Sequence, residues 1–399
     1  MKGKSYFWYA YSFSTLGRFV HGMALSWVVW TLTHSPIWLS AIALLSALPT
    51  LPLAPLAGQV ADRFHRHKIL LVTQTLGCCV AAITAFLAYH NHLTPTILAV
   101  LALCFGIISS VDGPALHSML VESGETVSQA VARQSLIMNV ARSFAPLLAV
   151  AIIESVGNSW CFAMNAICFI PMIYIMAVVR IPNATTQQER EESTGMTSRQ
   201  LFAKYQVLKE VLPQVACLSI LVMPSVALLP AISLKGSELV SFGSMSSGLG
   251  FGAVAAAVLM QKNKRIINHV TTVWMGGWIT CIGFAVLPAL ESLGSQWICA
   301  LVAGAALTFS LAAANNAVQR KAPNIYRGRF SAMYLAVMLG LVPVGQLILG
   351  LSAKFFGAEL AVRGCSIIAM VLMVLFAYLS SESSGGGDED SQKRTPNKG

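Results

Sequence analysis

The sequence predicts an all-α membrane protein with twelve transmembrane helices arranged as two pseudo-symmetric six-helix bundles. Apolar residues make up 56% of the 399 residues, and the mean hydropathy of +0.68 lies above that of soluble globular proteins. Apolar runs of about 20 residues, which can cross a hydrocarbon core of roughly 30 Å, recur along the chain. The longest polar interval lies after the sixth run. These observations predict two membrane-embedded halves joined by a polar linker.

Twelve apolar runs follow one another from the N terminus, and each is predicted to form one membrane-spanning helix. The first six occupy residues 6–32, 37–61, 69–89, 94–118, 135–156 and 159–179. The second six occupy residues 212–233, 239–260, 270–290, 295–318, 330–352 and 359–380. Kinked helices are predicted by prolines spaced three residues apart in the second run, Pro49, Pro52 and Pro55, and by Pro224 and Pro230 in the seventh.

The polar segments complete the predicted organisation. An N-terminal bundle (1–180) is followed by a linker (181–211), a C-terminal bundle (212–380) and a tail (381–399). The linker sequence "SRQLFAKYQVLKEV" is compatible with an amphipathic surface helix. The tail is polar and rich in Gly and Ser, so we expect it to be disordered.

A weak internal repeat supports two halves. The second run ends in "PLAPLAGQVADRFHRHKILLV" and the eighth in "SGLGFGAVAAAVLMQKNKRIINHV", both with small residues followed by a basic turn. The fifth run opens with "ARQSLIMNVARSFAPLLA" and the eleventh with "GRFSAMYLAVMLGLVPVG". Paired halves with small-residue faces are typical of secondary transporters, which bind substrate between the halves near the membrane midplane.

The distribution of Lys and Arg predicts the orientation. Of the 26 basic residues, Arg18 and Arg142 lie inside spans and Lys235, Lys354 and Arg363 lie in outer loops. The other 21 fall in one set of loops and at the two termini, so the positive-inside rule places both termini in the cytoplasm. This topology accounts for the net charge of +10, and a nucleic-acid partner is not needed to explain it.

Several classes of function lack their motifs. The nine cysteines lie in or beside apolar runs and form no metal-binding or disulfide pattern. The chain contains no phosphate-binding G-x-x-x-x-G-K-[ST] loop, no H-E-x-x-H motif and no Ser/His/Asp set at matching depth. We therefore expect no enzyme activity, no metal and no cofactor, and an ion gradient as the energy source.

Charge is concentrated in the predicted turn between the second and third spans. Between Asp62 and Lys68 six of seven side chains can titrate, although Asp, Glu, Lys and Arg form only 11% of the chain. The stretch "GQVADRFHRHK" resembles the G-x-L-A-D-R-x-G-R-K signature of the major facilitator superfamily, with His65 in place of the second Gly. The resemblance implies a conformational lock formed by Gly58, Asp62, Arg63 and Arg66. Ordinary positive-inside charge is the alternative for the basic positions.

Further segments place the resemblance within a subfamily. Seven ordered blocks, from "LGRFVHGMALSWVVWTLTHSP" to "RGRFSAMYLAVMLGLVPVG", are similar to the drug:proton antiporters that include the enterobactin exporter and macrolide-efflux proteins. The resemblance implies the major facilitator fold, a monomer in the bacterial inner membrane, and lipids, protons and a small molecule as partners. Ala145-Pro146 and Ala149 stand where antiporters of this kind carry glycine, so uptake or lysophospholipid flipping remains an alternative to export.

Ionisable residues inside spans are candidates for proton coupling, because each costs about 2.5–3.5 kcal/mol to insert. Asp112 and Arg142 are each predicted to lie roughly 12 Å from the cytoplasmic end of neighbouring antiparallel helices. They form either a fixed ion pair or a pair in which Asp112 exchanges protons and Arg142 responds. His21 is a third candidate for proton relay, and the alternative is a simple hydrogen-bonded histidine.

Cargo binding is predicted for residues at positions that line the central cavity in the superfamily. Arg18, near mid-bilayer, is expected to bind a carboxylate, phosphate or catecholate group, and the alternative is pairing with an acid of a neighbouring helix. Asn315 and Asn316 are expected by family position to hydrogen-bond cargo. Asn139 of the fifth span is a further candidate without such a position, and the alternative is that it only joins helices. The resulting hypothesis is proton-coupled export of a small amphipathic or anionic organic molecule, such as a siderophore or a drug-like compound.

Overall fold

The structure is a computed structural model that describes residues 2–50, 52–53, 64–122, 127–178, 198–263 and 270–392. All regular elements in this part of the chain are helical, and none is a strand. An all-helical chain satisfies its backbone hydrogen bonds internally, as a membrane requires. The predicted fold class is therefore confirmed.

Six helices form the N-terminal half. They are α1 (Lys2–Thr33), α2 (Pro36–Ala47), α3 (Arg66–Tyr89), α4 (Pro95–Glu122), α5 (Val127–Val156) and α6 (Asn158–Val178). Proline opens α2 and α4, where its missing N–H and fixed φ fit the first turn. Gly157, with φ of +97°, makes the turn between α5 and α6.

The C-terminal half begins with a short helix, Ser198–Lys204, here called the linker helix. It is followed by α7 (Gln206–Ile232), α8 (Glu238–Lys262), α9 (Val270–Val286), α10 (Leu293–Lys321), α11 (Arg327–Phe356) and α12 (Ala358–Gln392). Helix α7 changes to a π-helix at Leu218–Val222 and to a 3₁₀-helix at Met223–Ile232, around Pro224 and Pro230. Helix α11 is interrupted at Leu341, two residues before Pro343. Each of these prolines lacks a backbone N–H donor, and this loss accounts for the changes of helix type in α7 and the interruption of α11.

Ten helical segments in the described part of the chain, in α3 to α12, are long and apolar enough to cross a membrane. Helix α1 has 32 residues and is about 48 Å long, so its length also suffices. The regular part of α2 has 12 residues, and positions 54–61 of the predicted second span lie outside the described residues.

The C-terminal helix is longer than expected. Disorder was predicted for 381–399, whereas the backbone of α12 remains helical to Gln392. Extending an existing helix adds one hydrogen bond per residue without a new nucleation step, and this favours continuation into a polar segment. Residues 393–399 lie outside the described part of the chain.

Helix contacts divide the molecule into two halves with matching packing. In the N-terminal half α3 packs on α4 and α6, and α1 packs on α5 and α6; in the C-terminal half α9 packs on α10 and α12. The halves meet where α5 contacts α8 and where α2 contacts α11. Adding six to the number of the N-terminal helix and subtracting six from that of the C-terminal helix converts one of these contacts into the other. This equivalence is the pattern of a pseudo-two-fold axis between the halves.

The two halves approach each other closely near the middle of α5 and α8, and again at the end of the bundle opposite the N terminus. A Cβ atom on Gly250 of α8 would lie 2.6 Å from Cα of Ser143, so only glycine allows α5 and α8 to approach this closely. Gly350 meets Ser40 in the same way. Trp30 Nε1 donates a hydrogen bond to Glu238 Oε2 at 3.2 Å across the two halves. The Gly350 and Trp30 contacts hold the two halves together at the end opposite the N terminus, and the Gly250 contact does so at mid-helix.

Candidate functional site

A buried carboxylate with three donors lies inside the N-terminal half. Asp112 of α4 is only 3% exposed. Arg18 Nη1 donates to its Oδ2 at 3.0 Å, while Thr73 Oγ1 and Gln74 Nε2 donate to Oδ1 at 2.7 and 2.8 Å. Ser14 of α1 in turn donates to Gln74 Oε1 at 3.1 Å. The network joins α1, α3 and α4, and three charge-assisted hydrogen bonds offset the cost of burying the carboxylate.

The partner of Asp112 differs from the prediction. Sequence order suggested Arg142 of α5, but the ion pair is with Arg18 of α1. Helix α4 packs mainly on α2 and α3, and α1 rather than α5 brings a basic side chain to it. Of the two alternatives considered for Arg18, the geometry corresponds to a pair with an acid of a neighbouring helix. Its side chain nevertheless remains 30% exposed.

Arg142 instead faces a cavity between the two halves. Its side chain is exposed to that cavity, and its guanidinium lies over the Phe19 ring, 5.7 Å from the ring centroid. Among the described residues it has no ion-pair or hydrogen-bond partner. A guanidinium in this position presents up to five donors to a bound molecule.

The central cavity has a volume of about 440 Å³. Helices of both halves line it, α1 and α5 from one and α7, α8 and α10 from the other. Its walls are mainly apolar, and hydroxyl groups come from Ser26, Ser246 and Thr308. An apolar cavity with a few polar groups and two arginines, of which Arg18 is paired with Asp112, suits an amphipathic molecule with a negative charge.

A second cavity of about 330 Å³ lies within the N-terminal half and contains Asp112. Arg18 and Phe19 line both cavities. The second cavity is polar near Asp112, where Gln134 and Thr15 line it; the hydroxyl of Thr15 is buried and has no hydrogen-bond partner among the described residues. Arg18 is therefore placed to respond both to Asp112 and to a molecule in the central cavity.

Comparison with known families identifies the chain. The family model described as "Transmembrane secretion effector", a major facilitator family, matches residues 4–398. The chain belongs to this family of transmembrane secretion effectors. The resemblance to the major facilitator superfamily is thereby confirmed, and membership of the drug:proton antiporter subfamily remains a prediction.

Curated relatives of this transmembrane secretion effector are transport proteins. The staphyloferrin A transporter of Staphylococcus aureus (strain NCTC 8325 / PS 47) is 24% identical over 377 residues, covering 90% of this chain and 92% of that protein. The multidrug efflux pump Tap of Mycobacterium tuberculosis (strain ATCC 25618 / H37Rv) is 25% identical over 380 residues, covering 88% and 89%. The chain is thus a multi-pass membrane transporter of small molecules and not an enzyme.

A solved structure shows the same fold. A bacterial homologue of the human lysosomal transporter Spinster, in an inward-facing and unoccupied conformation, superposes with a TM-score of 0.68. Its sequence is 14% identical, and the match covers 96% of each chain. At this identity the likeness establishes the major facilitator fold and no more.

The remaining predicted coupling residue of this secretion effector lies among aromatic rings. His21 is 6% exposed and makes edge contacts with Phe105 and Phe162, with ring centroids 4.6 and 4.9 Å away. Its Nδ1 has no hydrogen-bond partner among the described residues, and His21 lines neither cavity. Its role in proton relay remains a prediction without a described connection to Asp112.

The predicted asparagines lie outside both cavity linings. Asn315 Oδ1 accepts a hydrogen bond from Gln319 at 3.0 Å, and Asn315 and Asn316 lie about two turns along α10 from Thr308. Asn139 lies one turn before Arg142, and its backbone oxygen accepts a hydrogen bond from Ser143. Their contact with cargo remains a prediction.

The predicted conformational lock falls largely outside the described residues. Gly58, Asp62 and Arg63 lie in the gap, while Arg66 is the first residue of α3. The lock therefore remains a prediction for this secretion effector.

Sequence reasoning missed two groups that the structure adds to the site. Thr73 donates to Asp112, and Phe19 separates the two cavities and lies under Arg142. Gln74 was a recognisable polar residue in an apolar span, and its neighbour Thr73 could have been linked to it. Phe19 gave no signal, since phenylalanine is common in membrane helices.

Proposed function

We propose that the protein exports a small amphipathic or anionic organic molecule, of the siderophore or drug-like class, by proton-coupled alternating access. The observation that carries the proposal is the exposed guanidinium of Arg142 in an otherwise mainly apolar cavity between the two halves. A carboxylate or similar anion would satisfy its donors, and the apolar walls would accept the rest of the molecule. The names of the two relatives, which give staphyloferrin A and multiple drugs as cargo, support this class.

Proton coupling is proposed to act through Arg18. When Asp112 is ionised it holds Arg18 by the 3.0 Å ion pair. A proton on Asp112 removes that attraction and leaves the Arg18 side chain to turn toward the central cavity that it also lines. Protonation of Asp112 and binding of cargo would then both act on the Arg18 guanidinium. Each event would change the free energy of the other, and that change is the coupling free energy between the two sites.

Access is proposed from the cytoplasm, with both termini on that side of the bacterial inner membrane. The contacts of Gly350 and Trp30 join the halves at the end opposite the N terminus, which would be the outer end. Cargo would therefore load from the inside and leave after the halves rock about the cavity. We propose that one copy of the chain suffices, because the cavity lies within a single chain.

The test is transport in proteoliposomes loaded with the amphipathic anion carboxyfluorescein, and separately with the cationic dye rhodamine 6G. We expect a proton gradient to drive carboxyfluorescein from the face that carries both termini to the opposite face. Arg142→Gln should lower the apparent affinity of the protein for carboxyfluorescein by about ten-fold or more. Asp112→Asn should keep the protein folded and allow downhill exchange while abolishing the response to the gradient. Arg363→Gln, which removes a half-buried arginine paired with Glu359 away from both cavities, is the matched control.

The same assay decides the alternatives. Accumulation of cargo in the opposite direction would support uptake, and movement of a fluorescent lysophospholipid between leaflets would support a flippase. The reason to test uptake and lipid flipping is Ala145-Pro146 in α5, because the exporters that this chain resembles carry Gly-Pro there. An unchanged pH response in Asp112→Asn would contradict the coupling role proposed for this residue.

A further inference from the structure

An apolar groove lies on the outside of the C-terminal half, at the face that carries the N terminus. Its volume is about 670 Å³, and it runs between the linker helix, α7 and α11. We call it the linker groove. It is lined by Ser198, Phe202, Leu212, Pro213, Ala216, Arg329, Ala332, Met333, Ala336 and Val337. It is separate from the central cavity, with which it shares no lining residue.

The linker helix forms one wall of the groove because one of its side chains packs into the apolar core of the C-terminal half. Leu201 is fully buried in the apolar cluster that contains Leu208 and Phe330, whereas Phe202 beside it is 38% exposed and faces the groove. The seven-residue helix therefore uses one side chain for the core and leaves the next for the groove. This arrangement explains the amphipathic pattern recognised in the linker sequence.

Small residues give the groove its depth along α11. Ala332 and Ala336 are exposed and lie one turn apart, between Arg329 and Val337. The eight-residue separation of Arg329 and Val337 corresponds to about 12 Å along the helix. Ala216 provides a similarly small surface on α7. The result is a narrow apolar channel that points from the polar face into the membrane.

One basic residue lines the groove, and others are close to its lining residues in sequence. Arg329 lines it, and Arg199, Lys204 and Arg327 are exposed on the linker helix and at the start of α11. Glu210 of α7 is the acidic residue nearest in sequence to the lining. Positive charge at the membrane surface beside an apolar channel complements a molecule with an anionic head and a hydrocarbon tail.

We propose that the linker groove binds one anionic phospholipid. One acyl chain occupies the channel past Ala332 and Ala336, and the phosphate lies at the basic end near Arg329. Two of its walls, α7 and α11, are helices long and apolar enough to cross the membrane, and an anionic phospholipid is an abundant membrane molecule that has both parts. Basic pockets at the cytoplasmic side of membrane helices recognise lipid head groups by this combination of charge and apolar surface.

The experiment measures lipid retention by the full-length protein. Protein reconstituted in nanodiscs of phosphatidylcholine with 20% phosphatidylglycerol is released into detergent, and retained lipids are counted by native mass spectrometry. We expect one retained phosphatidylglycerol in preference to phosphatidylcholine. Ala336→Phe, which fills the channel, and Arg329→Gln, which removes charge, should each reduce that retention at least five-fold.

Matched controls separate this site from general lipid contact. Ala82→Phe adds the same bulk to an exposed alanine on α3, and Arg320→Gln removes an exposed arginine at the end of α10 on the same face; neither should change retention. Equal retention of the two lipids, or equal loss in groove and control variants, would overturn the proposal. So would stabilisation by inorganic phosphate that depends on Arg329 without any retained phosphatidylglycerol, because it would indicate a site for a free anion.

Discussion

Three equivalent helices meet in each half of the protein, and the hydrogen-bond network that joins them is charged in one half and neutral in the other. In the N-terminal half α1, α3 and α4 meet at Asp112, which binds Arg18, Thr73 and Gln74. In the C-terminal half the equivalent helices α7, α9 and α10 meet at the backbone oxygen of Val273, which accepts hydrogen bonds from Gln214 and Ser310. Charge is present in the first network and absent from the second as described.

The correspondence extends to position within the helix. Asp112 is the eighteenth residue counted from Pro95 at the start of α4, and Ser310 is the eighteenth counted from Leu293 at the start of α10. A neutral network needs only hydrogen-bond partners, whereas a carboxylate at the same depth needs a cation or a proton. Among the described residues, the N-terminal half has a buried carboxylate where the C-terminal half has a neutral network, and we propose that proton chemistry belongs to the N-terminal half.

The largest effect is expected when the charged network loses one member. Arg18→Met leaves Asp112 buried without its cation, and we expect a loss of about 3 kcal/mol in the free energy of unfolding at pH 8. The double variant Arg18→Met/Asp112→Asn should recover most of that loss but not proton-driven transport. Thermal melting of the purified variants in one detergent checks the pattern. A double variant no more stable than Arg18→Met would show that the ion pair does not account for the difference.

The next largest effect is expected from placing a charge in the neutral network. Ser310→Asp puts a carboxylate where Ser310 now donates to Val273, without an arginine from α7 to match it. We expect a loss of about 2.5 kcal/mol and poor membrane insertion. Ser310→Asn is the neutral control. Wild-type yield and melting temperature in Ser310→Asp would mean that the C-terminal half tolerates an acid and that the contrast between the halves is wrong.

A matched pair of glutamines sharpens the comparison at intermediate size. Gln74→Leu removes a donor to a charged acceptor and should cost about 2 kcal/mol, while Gln214→Leu removes a donor to a neutral oxygen that keeps its bond from Ser310 and should cost about 1 kcal/mol. Only Gln74→Leu should weaken the response of transport to a proton gradient. Melting curves and proteoliposome transport of both variants test this. Equal effects on coupling would contradict the assignment of proton chemistry to one half.

The smallest effects are expected from single hydroxyl groups. Ser14→Ala removes the hydrogen bond to Gln74, and Ser310→Ala removes the bond to Val273. Each should cost about 0.5–1 kcal/mol. Ser14→Ala should also slow proton-driven transport about two-fold, because Gln74 then positions Asp112 less firmly, whereas Ser310→Ala should transport at the wild-type rate. The ratio of the two initial rates, at equal protein density, is the measurement.

Much of the fold followed from the sequence, and part of the site did. Hydropathy predicted the helical spans and the division after the sixth, because a bilayer imposes the length of each apolar run. The rarity of charge in spans identified Asp112, Arg18 and Arg142 as the ionic groups of the interior. Their partners could not be predicted, because neighbours in the chain are not always neighbours in space. Helix α1 packs against α5 and α6 and still reaches α4, so Arg18 rather than Arg142 meets Asp112.

By itself the sequence determined that the chain crosses the membrane many times, that it has two related halves, and which few buried groups carry charge. Those properties depend on the composition of each segment alone, because the bilayer requires every spanning segment to be apolar and to satisfy its own backbone hydrogen bonds. Only the tertiary structure decided that Arg142 faces the central cavity, that Arg18 lines two cavities, and that Thr73 and Gln74 complete the shell of Asp112. Such pairings depend on how helices distant in sequence are rotated and packed, and the order of residues along one helix does not contain that information.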